Sequence, residues 1–152
     1  MKVYNKLVRD KIPMIMSKEG KKFKTHVATD EEYRKKLKIK LLEEVQEFLE
    51  DPCIEELADI AISSARVVRL FGFDPKVAFL SHSTFGQPIT SRTKHIRDAV
   101  EILKEKEVDF KFDGDMQPDV ALNEEYSDLY PFSEIVGNAN ILIMPGQHSA
   151  AI

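Results

Sequence analysis

The apolar positions change their period along this chain, and the changes mark its elements. Thr29-Asp30 opens a long amphipathic stretch, with Glu31 and Glu32 in its first turn. Such residues cap a helix and complement its dipole. Leu37, Leu41, Val45 and Phe48 fall within roughly 80° of one another on a helical wheel, which predicts a helix to about Leu49, stopped by Asp51-Pro52. A second helix is expected from Ile54 to Leu70. Its apolar residues surround the axis: Leu57, Ile60, Ala61, Val67 and Val68 on one side, Ala58, Ile62 and Ala65 on the other. That pattern implies burial on two faces. After Asp74 the pattern becomes short continuous apolar runs: Lys76–Leu80, Val108–Phe112 and Ile141–Met144. Between them lie an amphipathic helix over Ser91–Lys106 and a brief one over Asp119–Tyr126. Continuous apolar strands alternating with helices indicate a parallel sheet covered on both faces. Ahead of all this, Lys6–Lys18 reads as a short helix kinked at Pro13, and residues 21–29 as a loop or short strand. The expected fold is α/β overall. An all-α segment, residues 1–66, joins a partial three-layer α/β/α parallel-sheet domain, residues 55–152, and the two share the helix 55–70.

Composition adds limits. At 152 residues, 43% hydrophobic and 32% charged, the chain has enough apolar content for a core. A net charge of −4 gives no reason to expect nucleic-acid binding. Lys and Arg concentrate in residues 2–40 and acids afterwards. The single cysteine, Cys53, has no partner for a disulfide and reads as a filler at a helix start. No apolar leader or membrane-length run is present, so a cytoplasmic location without membrane contact is expected.

Two features carry candidate chemistry. The first is a pair of acidic i,i+3 spacings, Glu44 with Glu47 and Glu56 with Asp59, on the two adjacent helices. Residues at i and i+3 share a helix face. Glu44 falls on the apolar stripe, where an ionised carboxylate costs several kcal/mol unless it is paired or binds a metal. Four such carboxylates turned to one point would suit Mg²⁺ or Mn²⁺. The bland alternative is an ion pair to a lysine or arginine. The second feature is Ser81–Gly86, SHSTFG, just after the first strand. Ligands of open α/β sheets bind at that end of the strands, and Ser83, Thr84 and Gly86 could cradle a phosphate. His82 beside Ser81 and Ser83, and His148 beside Ser149, do not amount to nucleophilic triads, since sequence neighbours rarely form one. His26 and His95 read as surface groups. Asp113 and Asp115 read as capping groups at a strand end.

The motifs resemble two families. Tyr4–Pro13 (YNKLVRDKIP), the acids Glu43, Glu44 and Glu47, and Glu56–Asp59 (ELAD) resemble the MazG-like nucleoside triphosphate pyrophosphohydrolases. That resemblance implies Mg²⁺ on Glu44, Glu47, Glu56 and Asp59, and release of pyrophosphate from a nucleotide. It also implies assembly as a homo-oligomer. In such chemistry Glu43 or Glu47 would act as base, and Lys6, Arg9 and Lys11 would contact phosphates. From about Glu55 onward, EELADIAISSAR, PKVAFLSHSTFG, DFKFDGDMQPDVALN and YPFSEIVGNANILIMPGQHSAAI resemble the phosphate acetyl/butyryltransferase domain, especially the version fused to bacterial NADP-dependent malic enzymes. That resemblance implies further strands beyond Ile152 that carry the catalytic serine and arginine. The primary expectation is a Mg-dependent nucleotide pyrophosphohydrolase. The alternative is a truncated, non-catalytic acyltransferase-type domain that binds acyl-CoA or phosphate.

Overall fold

The computed structural model describes residues 4–9 and 11–146. Nine elements follow in order: α1 (Ile12–Lys18), α2 (Asp30–Glu50), α3 (Ile54–Arg69), β1 (Lys76–Leu80), α4 (Ser91–Glu105), β2 (Lys111–Met116), α5 (Pro118–Leu122), a 3₁₀ turn at Glu124–Tyr126, and β3 (Ile141–Ile143). The three strands form one parallel sheet in the order β2-β1-β3.

Alternation along β1 builds the two sides of the sheet. Val77 and Phe79 point toward α3 and α4, where Leu57, Ala61, Ala65, Ile96, Ala99 and Leu103 complete one apolar cluster. Ala78 and Leu80 point the other way, against Met116, Val120, Ala121, Ile135 and Val136. Thus α4 covers one face and α5 with the 130–139 segment covers the other. The α2 helix packs on the outer side of α3, so α3 is buried on both sides, as its all-round apolar pattern requires. Thr29 caps α2 by accepting from the Glu32 N–H, while Glu32 reaches back to the Thr29 N–H. Asp51-Pro52-Cys53 makes the tight link between α2 and α3.

Three expected boundaries move. Pro13 lies in the first turn of α1, where its missing N–H costs nothing, so the helix begins at Ile12 instead of kinking. The second strand spans Lys111–Met116, not Val108–Phe112. Val108, Phe110 and Phe112 pack against the α3/α4 cluster, and Arg69 pins Asp109 through its carboxylate and its carbonyl, each at 2.6 Å. Asp113-Gly114-Asp115 therefore lies inside β2, where pairing with β1 shifts register between Phe79 and Leu80. The last short helix breaks after Leu122, where Asn123 has an extended backbone.

Among the described residues no helix is long and apolar enough to cross a membrane.

Candidate functional site

Connections out of β1 and β2 leave for opposite faces of the sheet. The chain after β1 leads to α4, and the chain after β2 leads to α5. Where neighbouring strands diverge in this way, a crevice opens at their carboxyl ends. A cleft of about 520 Å³ lies there, lined by Thr84, Phe85 and Gln87 from the first loop and Gln117, Asp119 and Val120 from the second. Tyr126, Leu129, Tyr130 and Phe132 close its outer side.

The loop after β1 is held in an uncommon backbone shape. Thr84 and Gln87 exchange backbone hydrogen bonds at 3.3 and 3.1 Å. Phe85 and Gly86 between them have φ of 49° and 81°, the pair of positive values a type I′ turn needs. Glycine adopts this freely; Phe85 does so at a cost of roughly 1–2 kcal/mol. Asp115 secures both residues: its carbonyl accepts from the Phe85 N–H at 2.6 Å, and its buried carboxylate accepts from the Gly86 N–H at 3.0 Å. The Phe85 ring lies 5.2 Å from Tyr130 and 4.8 Å from Phe132, both tilted edge contacts. Gln117 ties the second loop to the first, donating its N–H to Thr84 Oγ1 at 3.2 Å and its side-chain amide to the His82 carbonyl at 3.1 Å. The Asp119 carboxylate, by its charge and its hydrogen bond, raises the Tyr126 phenol above the ordinary range, so that phenol stays neutral.

This geometry shapes the chemistry of the loop. The N–H groups of Ser83, Thr84, Phe85, Gly86 and Gln87 are all bonded within the protein: Ser83 to Ser81 Oγ, the others to Gln87, Asp115 and Thr84. Thr84 Oγ1 is taken by Gln117. The Oγ of Ser83 and one carboxylate oxygen of Asp115 are buried without a hydrogen-bond partner.

A second cluster lies between α2 and α3. Glu44, Glu47 and Glu56 each bring a carboxylate oxygen within 4.8 Å of the others. Glu44 is buried and forms an ion pair with Lys40. One oxygen of Glu56 is buried with no partner. Burial, the hydrogen bond with Glu44 and the charges of Glu44, Glu47 and Asp59 all raise the Glu56 carboxyl above the usual carboxylate range. An unpartnered buried oxygen in a group of hard donors fits a divalent cation. Asp59 stands apart from this trio: its Oδ1 accepts from Arg9 at 3.0 Å and Lys106 at 2.6 Å. Glu43 pairs with Lys6 and Lys40, and these partners hold its carboxyl below the ordinary range. Lys6 and Arg9 thus face protein carboxylates, and Lys11 is exposed at the start of α1.

Of the residues with candidate roles, the structure brings together Glu44, Glu47 and Glu56 in one place, and Ser83, Thr84 and Gly86 in another. Asp115, Gln117, Tyr126 and Phe132 shape the cleft and were not singled out for ligand contact by the sequence. The readable signal was the DGD–Q succession just after an apolar run.

The family model described as "Phosphate acetyl/butaryl transferase" matches residues 1–152. The chain belongs to that family. It is 48% identical over 101 residues to the NADP-dependent malic enzyme of Rhizobium meliloti, covering 66% of this chain and 13% of that protein. It is 42% identical over 97 residues to the phosphate acetyltransferase of Clostridium acetobutylicum, covering 62% of this chain and 29% of that protein. Among solved structures, a phosphotransacetylase from Streptococcus pyogenes superposes with a TM-score of 0.61 at 34% identity, covering 66% of this chain and 32% of that one. The chain therefore spans under a third of each of these relatives. The pyrophosphohydrolase resemblance of the first half gains no support from them. What they support is a phosphate acetyltransferase-type domain, the alternative of the two sequence readings.

Proposed function

We propose that this chain is an acyl-CoA-binding lobe of a phosphate acetyltransferase-type domain, holding the acyl–pantetheine arm without completing transfer by itself. The observation that carries the reading is the cleft where the β1 and β2 connections diverge. Its walls are amide, hydroxyl, aromatic and aliphatic groups with one carboxylate, Asp119, and no lysine or arginine is among its lining residues. Acyl-pantetheine is an uncharged arm with two amides and a thioester, so Gln87, Gln117 and the Tyr126 phenol match its polar groups. Phe85, Tyr130, Phe132 and Leu129 match its methylene and methyl groups. A free phosphate is matched poorly, because the loop N–H groups that would bind it are already bonded. Transfer to phosphate requires a cation to hold that anion and to stabilise the developing oxyanion, and this cleft supplies none.

Calorimetric titration with acetyl-CoA, acetyl-pantetheine and inorganic phosphate tests the reading. Saturable binding of the first two, weakened by Gln117→Leu, is expected. Phosphate binding as tight as acetyl-CoA binding, or no acetyl-CoA binding by the folded chain, would refute it.

A second reading rests on the carboxylate trio. Glu44, Glu47 and Glu56 would hold Mg²⁺ or Mn²⁺, which when bound supplies charge to polarise a nucleotide polyphosphate. Lys40 and Lys6 then orient Glu44 and Glu43, and Arg9 positions Asp59 at the edge. Pyrophosphate release from nucleoside triphosphates, dependent on Mg²⁺ and lost in Glu44→Gln, would sustain it. No release from the folded chain would retire it.

A further inference from the structure

A second hollow lies against the same loop, on its α4 side. Its volume is about 260 Å³, and Ile89, Thr93, Lys94, Arg97, Asp98 and Glu101 line it. Lys94 and Arg97 are exposed and stand one turn apart in the first half of α4. Each has an acid four residues on, Asp98 and Glu101, at the spacing of a helical ion pair. Neither pair forms: among the described residues Lys94 and Arg97 make no salt bridge. Glu101 accepts from Lys104 instead, at 2.8 Å. Arg97 turns to the loop. A Cβ placed on Gly86 would lie 2.7 Å from Arg97 Nη1 and 3.6 Å from Ile89 Cγ1, so the open side of Gly86 faces this groove. Phe85 and Gln87, on either side of Gly86, line the larger cleft. The width of one turn of backbone therefore separates the two hollows.

We propose that Lys94 and Arg97 hold the diphosphate of an acyl-CoA whose acyl–pantetheine arm occupies the larger cleft, across the turn. This inference rests on the acyl-CoA reading above and supplies what that reading leaves open. The arm itself is uncharged, but it is joined directly to a diphosphate, and the cleft that suits the arm has no lysine or arginine. The diphosphate is the first anion along the ligand from the arm, and the cations beside Gly86 are placed to meet it. The Arg97 fork can donate to two phosphate oxygens at once, and the Lys94 ammonium adds a compact charge. The positive end of α4, capped at Thr90, lies on the same side of the helix centre. The acids of the groove do not cancel this. Glu101 is offset by Lys104, which leaves two cations to one acid, Asp98.

Calorimetry on the full chain with acetyl-CoA, 3′-dephospho-acetyl-CoA and acetyl-pantetheine is the test, with circular dichroism to confirm that each variant folds. The native chain is expected to bind both nucleotide thioesters at least about tenfold more tightly than acetyl-pantetheine, the worth of a charged hydrogen bond. Arg97→Gln and Lys94→Gln should each narrow that ratio several-fold. Added salt should narrow it as well. Lys111→Gln removes a charge at the amino end of β2, the opposite end of the sheet, and should leave the ratio unchanged. Equal affinity of the native chain for acetyl-CoA and acetyl-pantetheine overturns the diphosphate site and spares the cleft reading. No binding of either thioester overturns the cleft reading and the site with it. A ratio untouched by both α4 variants, or one that vanishes when the 3′-phosphate alone is removed, overturns the assignment of the diphosphate to Lys94 and Arg97.

Discussion

Asp115 is the residue on which the shape of the cleft depends, and removing its side chain gives the sharpest test of that shape. Asp115→Ala deletes the acceptor of the Gly86 N–H and leaves that buried donor unpaired. Losing a hydrogen bond to a charged group costs roughly 1.5–3 kcal/mol. Two terms oppose this, the first being removal of the Asp115 oxygen that is buried without a partner. Freed of its anchor, the turn can relax the positive φ of Phe85, recovering part of roughly 1–2 kcal/mol. The Phe85 N–H keeps its bond to the Asp115 carbonyl in any variant, so the turn loosens without detaching. The net expectation is a loss of about 1–2 kcal/mol. Asp115→Asn keeps an oxygen acceptor and should cost less than half as much. Urea unfolding reads the difference. With slopes of roughly 1–3 kcal/mol per molar, the alanine variant should unfold about 1 M earlier, with the slope unchanged. Acetyl-CoA affinity should fall in the same variant, because Thr84, Phe85 and Gln87 line the cleft. Stability within about 0.5 kcal/mol of the native chain, the range of an ordinary surface change, would refute the anchoring argument. An asparagine variant as weak as the alanine one would show that charge, not the hydrogen bond, holds the turn.

Two glycines in this region should respond differently to alanine, and thermal unfolding distinguishes them. At Gly114, with φ of +154°, a Cβ would lie 2.8 Å from both the Cβ and the carbonyl oxygen of Phe79, so Gly114→Ala should cost above about 3 kcal/mol. At Gly86 the clash is with the tip of Arg97, which can move, so Gly86→Ala should cost only the roughly 1–2 kcal/mol of its positive φ. Glu56→Gln should raise the melting temperature at pH 7–8. The raised carboxyl favours the folded state while protonated, below its ordinary value of 4.5, and that contribution is lost as pH rises through the raised folded value. The gain from glutamine should therefore vanish below pH 4.5; an equal gain at acid pH would contradict the electrostatic cause. If the trio holds Mg²⁺ or Mn²⁺, the ion should raise the melting temperature of the native chain and not that of the Glu56→Gln variant. Leu103→Ala, at a fully buried α4 position against the sheet, should cost about 2–5 kcal/mol in denaturant unfolding.

What was readable in the sequence follows from how local each feature is. The α2 and α3 helices were plain because their caps and their 3.6-residue period lie within one segment. The trio was partly plain for the same reason: i,i+3 spacing puts Glu44 with Glu47 on one face of α2. It misplaced Asp59, because a shared helix face does not fix which neighbour each residue meets. Glu56 meets α2, whereas Asp59, one turn on, meets Arg9 and Lys106 from elsewhere in the chain. The β2 strand was misread because its pairing partner decides it. KFDGDM has turn chemistry, yet β1 recruits it as an edge strand, and the apolar residues before it serve the helices instead.

The cleft was the least legible feature, since it belongs to no segment. It exists because Val77 and Phe79 point to one face and Ala78 and Leu80 to the other, and because α4 then takes the first face and α5 the second. That choice separates two loops some thirty residues apart in sequence, which Asp115 and Gln117 then stitch together. The same bonds saturate the donors of the SHSTFG loop. A run that reads in sequence as a phosphate cradle has, once folded, its N–H groups from Ser83 to Gln87 bonded within the protein.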